Sequence, residues 1–358
     1  MRKIIASLLP CAFFISALIL TPAQAQIEAA KEIKSSDSVT AHEEGLMAVA
    51  ISPDGKTLVS GSRDKTIKLW SLPDHRLLNT LKGHMGNVSA LAITPDNKTL
   101  ISGSWDKTIK LWSLSTNRLL VTLRGHLGKV NTLAITPDGK MLVSGSEDKT
   151  VRLWSLPEKR LLAALKGHKG EVHAIAVTPD GRMLASASAD KTIKLWSLPQ
   201  KRLGNTLEGH TDSVLALAIA PDGLTLASGS ADKTIKLWSF SEKQATATME
   251  GHTDSVLALA ITPDGKRLAS GSKDTTVRLW FLGERRLLHT GRHYPDSTVK
   301  YFTVTSREGG VTMSMNVRAT VVNMAGCLAI APDGKVMASG GNIGSIFFWN
   351  LGEAASQK

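Results

Sequence analysis

A chain of 358 residues is long enough for one large domain or two ordinary ones. With 42% apolar and 21% charged residues it buries a substantial core, which excludes a disordered polyelectrolyte. A formal charge of +12 fits anionic partners, such as acidic glycans or lipid head groups, beside protein ones.

Residues 1–25 differ from everything after them. Arg2 and Lys3 precede an almost wholly apolar run, residues 4–20, and Ala23-Gln24-Ala25 offers small residues for cleavage. This pattern predicts a bacterial-type secretory signal peptide cut after Ala25, and hence a protein exported to the periplasm or the medium. A retained membrane anchor is the competing reading. Pro10 interrupts the run, which is shorter than the roughly 20 residues a spanning helix needs, so no transmembrane span is expected after cleavage. Cleavage also removes Cys11. Cys327, in the strand-like stretch CLAIA, is then a single cysteine, read as a small buried apolar group with no disulfide partner.

From residue 42 onward the chain repeats. Trp70, Trp112, Trp154, Trp196, Trp238 and Trp280 stand 42 residues apart, and Trp349 follows after one repeat plus 27 residues. Pro-Asp pairs keep the same beat, from Pro53-Asp54 to Pro332-Asp333. In the unit of residues 83–124, VSALAIT (88–94) is an apolar run suited to a strand buried on both faces. A Pro-Asp-Asn turn leads to TLISGS (99–104), an Asp-Lys turn to TIKLW (108–112), and a further turn to RLLVTL (118–123). Four short strands make a sheet that cannot cover both of its own faces. Seven such sheets around an axis cover one another, which predicts an all-β, seven-bladed propeller of four-stranded antiparallel blades over residues 42–351.

Gly-His, a Ser-Gly-Ser-x-Asp turn and a terminal Trp at this spacing resemble the WD-repeat family, with Trp-Ser in most copies where the family often has Trp-Asp. The resemblance implies a hydrogen-bonded His-Ser-Asp-Trp set in each blade. These would be His42, Ser60, Asp64 and Trp70; His84, Ser102, Asp106 and Trp112; His126, Ser144, Asp148 and Trp154. The next three are His168, Ser186, Asp190 and Trp196; His210, Ser228, Asp232 and Trp238; His252, Ser270, Asp274 and Trp280. A buried indole N–H needs an acceptor, and a carboxylate orients an imidazole. In blade seven Ile343 stands at the Asp position and no His precedes Cys327 at the usual distance, so its polar set is expected to be lost. The family also closes its ring with an N-terminal strand. Residues 35–39, within the segment 26–41, lie in phase for that role although SSDS is a poor strand by composition. Residues 352–358 are a short polar tail.

The sequence carries no catalytic signature. Six histidines recur with the repeat, whereas catalytic groups break symmetry. His289 and His293 stand close together without a third ligand at zinc-like spacing, and the Asp-Gly turns lack the alternating acids of a calcium loop. No metal, cofactor or catalytic residue is therefore expected. Lys68, Lys110, Arg152, Lys194, Lys236 and Arg278 form a periodic basic set, read as third-strand residues that lay their stems along a sheet, so no nucleic acid is expected.

Information about partners lies where the blades differ. Just before the turn Asp stand Arg63, Trp105, Glu147, Ala189, Ala231 and Lys273, with Asn342 in blade seven. The resemblance places this position on the face where partners dock, and Trp105 has the character of a hot-spot residue. The 27 extra residues lie within 291–323, where residues 298–305 and 311–317 alternate as a hairpin around Gly309-Gly310. Tyr294, Tyr301 and Phe302 give this insertion a recognition character. A lid that merely covers blade seven is an equal reading. The leading expectation is a non-enzymatic scaffold with a protein partner on Arg63, Trp105, Glu147, Lys273 and the insertion. A propeller enzyme with its site in the central channel is the alternative.

Overall fold

β-branched and leucine-rich runs of five or six residues, punctuated by turns that favour reversal, fold into one small sheet per repeat. The computed structural model describes residues 31–32, 37–292, 298–308, 311–321, 325–342 and 344–351. In blade two the strands Val88–Ile93, Thr99–Ser104, Ile109–Ser113 and Leu119–Leu123 pair antiparallel in that spatial order. Between the first two, Thr94 and Thr99 close the turn while Asp96 Oδ1 accepts from the Lys98 N–H at 3.0 Å. Asn97 takes the left-handed conformation there (φ 58°), where the sister turns use glycine. Between the second and third, Asp106 Oδ1 accepts from the Thr108 N–H at 2.9 Å and its hydroxyl at 2.6 Å.

Seven sheets of this kind form the ring. Inner strands pack against each other in succession, from Leu46–Ile51 round to Cys327–Ile330 and back to Leu46–Ile51. Seven buried clusters fill the seven junctions. Between blades one and two, for example, Val59, Ile67, Leu69 and Leu81 meet Val88, Leu100 and Trp112. Each such apolar side chain taken fully from water contributes about 1.5–3 kcal/mol. Neighbouring inner strands are also tied by polar groups, since Ser89 Oγ donates to the Val130 carbonyl and Asn131 Nδ2 to the Val172 carbonyl at 3.2 Å.

The N-terminal segment supplies the outer strand of blade seven. Asp37–Thr40 pairs antiparallel with Ser345–Asn350, with Val39 opposite Ile346. Residues 35 and 36 lie outside the described residues, and the observed pairing runs through Thr40. Upstream, Lys31–Glu32 adds in parallel to the outer strand of blade six, Arg286–Arg292, so one segment engages two neighbouring blades. The Gly344 carbonyl then accepts from the N–H groups of Ala41 (2.8 Å) and His42 (2.9 Å). Residues 1–30, including the apolar leader with Cys11, and 352–358 lie outside the described residues.

The insertion forms two strands, Thr298–Glu308 and Val311–Val321, paired antiparallel along their whole length. Both run further than residues 298–305 and 311–317, because neither Pro nor Gly interrupts the β-permissive sequence on either side of Gly309-Gly310. No helix among the described residues is long and apolar enough to cross a membrane.

The strand order fixes two faces. Turns joining inner to second and third to outer strands lie at one end of each blade, here the lower face. The second-to-third turns and the linkers to the next blade lie at the other end, the upper face.

Candidate functional site

The repeated polar residues build the frame of the upper face. In blade two the Trp112 Nε1–H donates to Ser102 Oγ at 2.8 Å, and Ser102 Oγ lies 2.8 Å from His84 Nε2. His84 Nδ1 is 2.7 Å from Asp106 Oδ2. One protonation pattern satisfies every atom: the serine hydroxyl donates to Nε2, and the Nδ1–H donates to an ionised aspartate. Blades one and three to six repeat the set, with the same contacts at 2.7 to 2.9 Å. Burial pushes His42, His168, His210 and His252 below the ordinary imidazole value, keeping them neutral against the pull of their aspartates. Burial works to raise Asp190 and Asp232, but hydrogen bonds from Thr192 and Thr234 and from the histidines outweigh it and hold both down to about 2.

Blade seven keeps part of this set, a correction to the sequence expectation. Trp349 Nε1–H donates to Ser339 Oγ at 2.7 Å, so the indole stays satisfied without a histidine in the repeat position. Ile343 lies outside the described residues. Packing of Phe347, Phe348 and Trp349, all buried, takes over the rest.

The same frame aims the variable residues. Asp106 Oδ2 also accepts from the Met85 N–H at 2.9 Å, and Asp148 Oδ2 from the Leu127 N–H at 3.0 Å, fixing the residue after each repeat histidine. The residue before each turn Asp is pinned by its own N–H: Trp105 to the Asn87 carbonyl and Glu147 to the Lys129 carbonyl, both at 2.9 Å. Met85 is 82% exposed, Leu127 78% and Trp105 36%. Lys129 Nζ sits 4.8 Å from the centroid of the Trp105 ring and 3.0 Å from Glu147 Oε1. The Lys129 N–H, donating to Glu147 Oε2, and the ammonium beside it hold the Glu147 carboxyl below its ordinary range. Thus Trp105, Lys129 and Glu147 form one chain of contacts spanning blades two and three.

Of the predicted docking residues, Trp105 and Glu147 are brought together through Lys129. Arg63 and Lys273 carry exposed side chains on the corresponding turns of blades one and six. Tyr301 and Phe302 lie on the first strand of the insertion, and Tyr294 lies outside the described residues. Sequence reasoning missed Met85, Leu127 and Lys129. A signal existed, because blades one, four, five and six have Glu43, Lys169, Thr211 and Thr253 where Met85 and Leu127 stand.

The remaining candidates are structural. Lys110, Lys194 and Lys236 donate from Nζ to Thr122, Thr206 and Thr248 on the outer strands at 2.9 to 3.0 Å, and Lys68 donates to the Ala41 carbonyl at 2.7 Å. Arg278 is buried, and Arg152 is mostly so. Cys327 is buried and unpaired, its thiol pushed up to about 12 by desolvation, so it is inert at neutral pH. No group of three metal-ligating side chains gathers among the described residues. His293 lies outside them.

Comparison with known proteins agrees with this geometry. The model of the WD domain, G-beta repeat, matches residues 33–71, 75–113, 117–155, 159–197, 201–239 and 243–280. Over 43 residues the chain is 46% identical to transducin beta-like protein 3 of Bos taurus and of Homo sapiens, covering 12% of this chain and 5% of those proteins. Over 49 residues it is 43% identical to the Notchless protein homolog of Arabidopsis thaliana, covering 14% of this chain and 10% of that protein. The chain therefore matches only a small part of these relatives' length. With six matched repeats spanning more than half of its residues and a ring of seven four-stranded blades, the chain belongs to the WD40 repeat family.

Proposed function

We propose that this propeller is a non-enzymatic scaffold, exported from the cytoplasm, that docks a protein partner on its upper face around Trp105. The observation that carries this reading is the break in symmetry on blades two and three. Met85, Trp105 and Leu127 are large, apolar and exposed at positions where other blades present Lys169, Thr211, Thr253, Ala189 or Ala231. Aromatic and methionine side chains on a rigid frame are favoured binding anchors. Lys129 holds the indole in place beforehand, which reduces the entropy lost on docking. The insertion leaves the outer strand of blade six toward the upper face, and Tyr301 and Phe302 are proposed to extend the same surface. Arg63 and Lys273 supply charge at its margins.

Catalysis in the channel is the weaker reading. In blades one to six the second positions of the inner strands, Met47, Ser89, Asn131, His173, Leu215 and Leu257, include a single titratable group, and Ser89 Oγ and Asn131 Nδ2 donate to backbone carbonyls.

The test is crosslinking capture with the exported protein and two variants, Trp105→Ala and the pair Met85→Thr with Leu127→Thr. Sister blades carry Thr at that linker position, so the fold is expected to persist. The reading requires that a crosslinked partner seen with the wild type be lost with both variants at unchanged melting temperature. Equal capture by all three would place docking elsewhere. Export requires a mature N-terminus at Gln26; a full-length species in the membrane fraction would overturn it.

A further inference from the structure

On the lower face the repeat leaves a cavity at several blade junctions, and one of them is unlike the others. Between blades one and two it measures about 170 Å³ and is edged by Thr57, Asn79, Asn97 and Asn117. Between blades four and five it measures about 280 Å³, with Phe240 in its lining. Between blades three and four it opens to about 600 Å³, a volume within the range of ligand-binding pockets. Met141, Leu162 and Leu198 line it, with Pro137, Pro157 and Pro199 beside them.

The two residues that meet across this junction, Met141 and Leu198, are a combination that no other junction carries. Met141 stands where Thr57, Thr99 and Thr225 carry a hydroxyl, and its flexible thioether recurs in Met183, which lines the smaller cavity at the next junction beside Phe240. Leucine is the common residue at the Leu198 position, shared with Leu72, Leu114, Leu156, Leu282 and Leu351, and Phe240 at the next junction is the exception, so a methionine faces a leucine here alone. Met141 and Leu162 are half-buried and continuous with the apolar core between blades three and four. The proline-bearing turns, with φ fixed at each ring, give the cavity stiff walls.

Carboxylates outnumber cations at the rim, where Lys140 is the one basic lining residue. Asp138 Oδ1 accepts from the Lys140 N–H at 3.0 Å and from the Thr136 hydroxyl at 2.6 Å. Asp180 Oδ1 accepts from the Arg182 N–H at 3.0 Å. In each the Oδ2 atom has no hydrogen-bond partner among the described residues, and both side chains are exposed. Glu158 adds a third carboxylate, whose Oε2 lies 2.6 Å from Arg160 Nε.

We infer that this lower-face cavity between blades three and four is a second binding site, which takes an aliphatic side chain flanked by Lys or Arg from an extended segment of a partner protein. The aliphatic group fills the space over Met141 and Leu198, and the flanking cations meet the open Oδ2 atoms of Asp138 and Asp180. The site faces away from Trp105, so two partners can bind together and the propeller acts as a bridge.

The experiment uses the full mature chain and three capped pentapeptides, acetyl-Gly-Lys-Leu-Lys-Gly-amide and its Glu-flanked and Ala-centred counterparts. Saturation-transfer NMR reads the leucine methyl groups, and titration gives affinities. The Lys-flanked leucine peptide is expected to bind, and Leu198→Phe to weaken it by about tenfold, the order expected for losing a well-buried apolar contact. Met141→Thr should weaken it in the same direction. Both replacements import a residue that a sister blade already carries, and melting curves check that each folds. The pair Asp138→Asn and Asp180→Asn keeps the Oδ1 acceptors and should make the Lys- and Glu-flanked peptides bind alike. The inference is overturned if titration gives the three peptides equal affinities for wild type. It is also overturned if Leu198→Phe and Met141→Thr bind the Lys-flanked peptide as wild type does.

Discussion

Replacing Ser102 by Ala tests whether the His-Ser-Asp-Trp sets stabilise the ring through their hydrogen bonds. The change removes the acceptor of the Trp112 Nε1–H and the donor to His84 Nε2 at once. Ser102 is fully buried, and Trp112 and His84 are 3% and 5% exposed, so water cannot replace the lost partners without rearrangement. An abandoned buried donor or acceptor costs about 1–3 kcal/mol, so two of them should cost about 2–6 kcal/mol. Against a total stability on the order of 5–15 kcal/mol this is a large loss. Trp112→Phe separates the contributions, because it deletes the indole N–H together with some packing. When both changes are combined, no indole donor is left orphaned, and the double variant should be more stable than the sum predicts by about 1–3 kcal/mol. Guanidinium denaturation followed by circular dichroism measures all four species, read as stability only where the slope with denaturant is unchanged. A Ser102→Ala loss under about 0.5 kcal/mol, or additivity within about that amount, would refute the reasoning.

Three further outcomes follow from the geometry. Deleting residues 27–40 strips the outer strand of blade seven and leaves Ile346 without its Val39 neighbour; a loss of about 3 kcal/mol, or roughly 6–12 °C in melting temperature, is expected by calorimetry. His75→Lys, which installs the residue found at Lys159, Lys201 and Lys243, should cost about 0.5–1.5 kcal/mol by removing the stack on Phe348. Acid should destabilise the ring in two stages. His42, His168, His210 and His252 have folded values below 6.5, so the unfolded chain takes up protons first and stability falls as pH drops from that value. The depressed aspartates add a second fall below 3.8, running toward about 2 for Asp190 and Asp232; melting curves from pH 8 to pH 3 that stay flat would contradict both signs.

The architecture was legible because it is written seven times. A Trp every 42 residues and a Pro-Asp in phase give the blade length, and the alternation of short β-rich runs with Asp turns gives four strands. What repetition could not supply was harder to read. Asp37–Thr40 is a strand because the edge of Ser345–Asn350 offers unpaired backbone groups, not because its own composition favours one. The Trp349–Ser339 bond persists in blade seven although the Asp and His are lost, because the indole depends on the serine alone. On the upper face, reading the single position before the turn Asp found Trp105 and Glu147 but not Lys129, which joins them. That cation belongs to the linker two residues after Leu127, and its contact spans a blade boundary that sequence order does not display. The lower cavity was illegible for the same reason, since its lining combines Met141 of one blade with Leu198 of the next.

Near-identical repeats raise the question of what prevents the ring from closing one blade out of register. The seam carries residues that no other junction has. His75 occupies the left-handed position of the third-to-outer turn in blade one (φ 55°), where the sister blades place Asn117, Lys159, Lys201, Lys243 and Arg285. Phe348 stands in blade seven where the others have leucine, and its ring stacks on His75 with centroids 3.7 Å apart and planes 9° from parallel. Phe347 takes the place of the third-strand lysine or arginine, and its register partner is Ser38 rather than the threonine that receives Lys110, Lys194 and Lys236. A ring slipped by one blade would set a third-strand lysine against the closing strand, without its threonine, and leave Phe347 opposite a polar partner evolved for a cation. The slipped ring would forfeit the His75–Phe348 stack and a lysine–threonine contact. The asymmetry at the seam therefore favours the closure in which Asp37–Thr40 pairs with Ser345–Asn350.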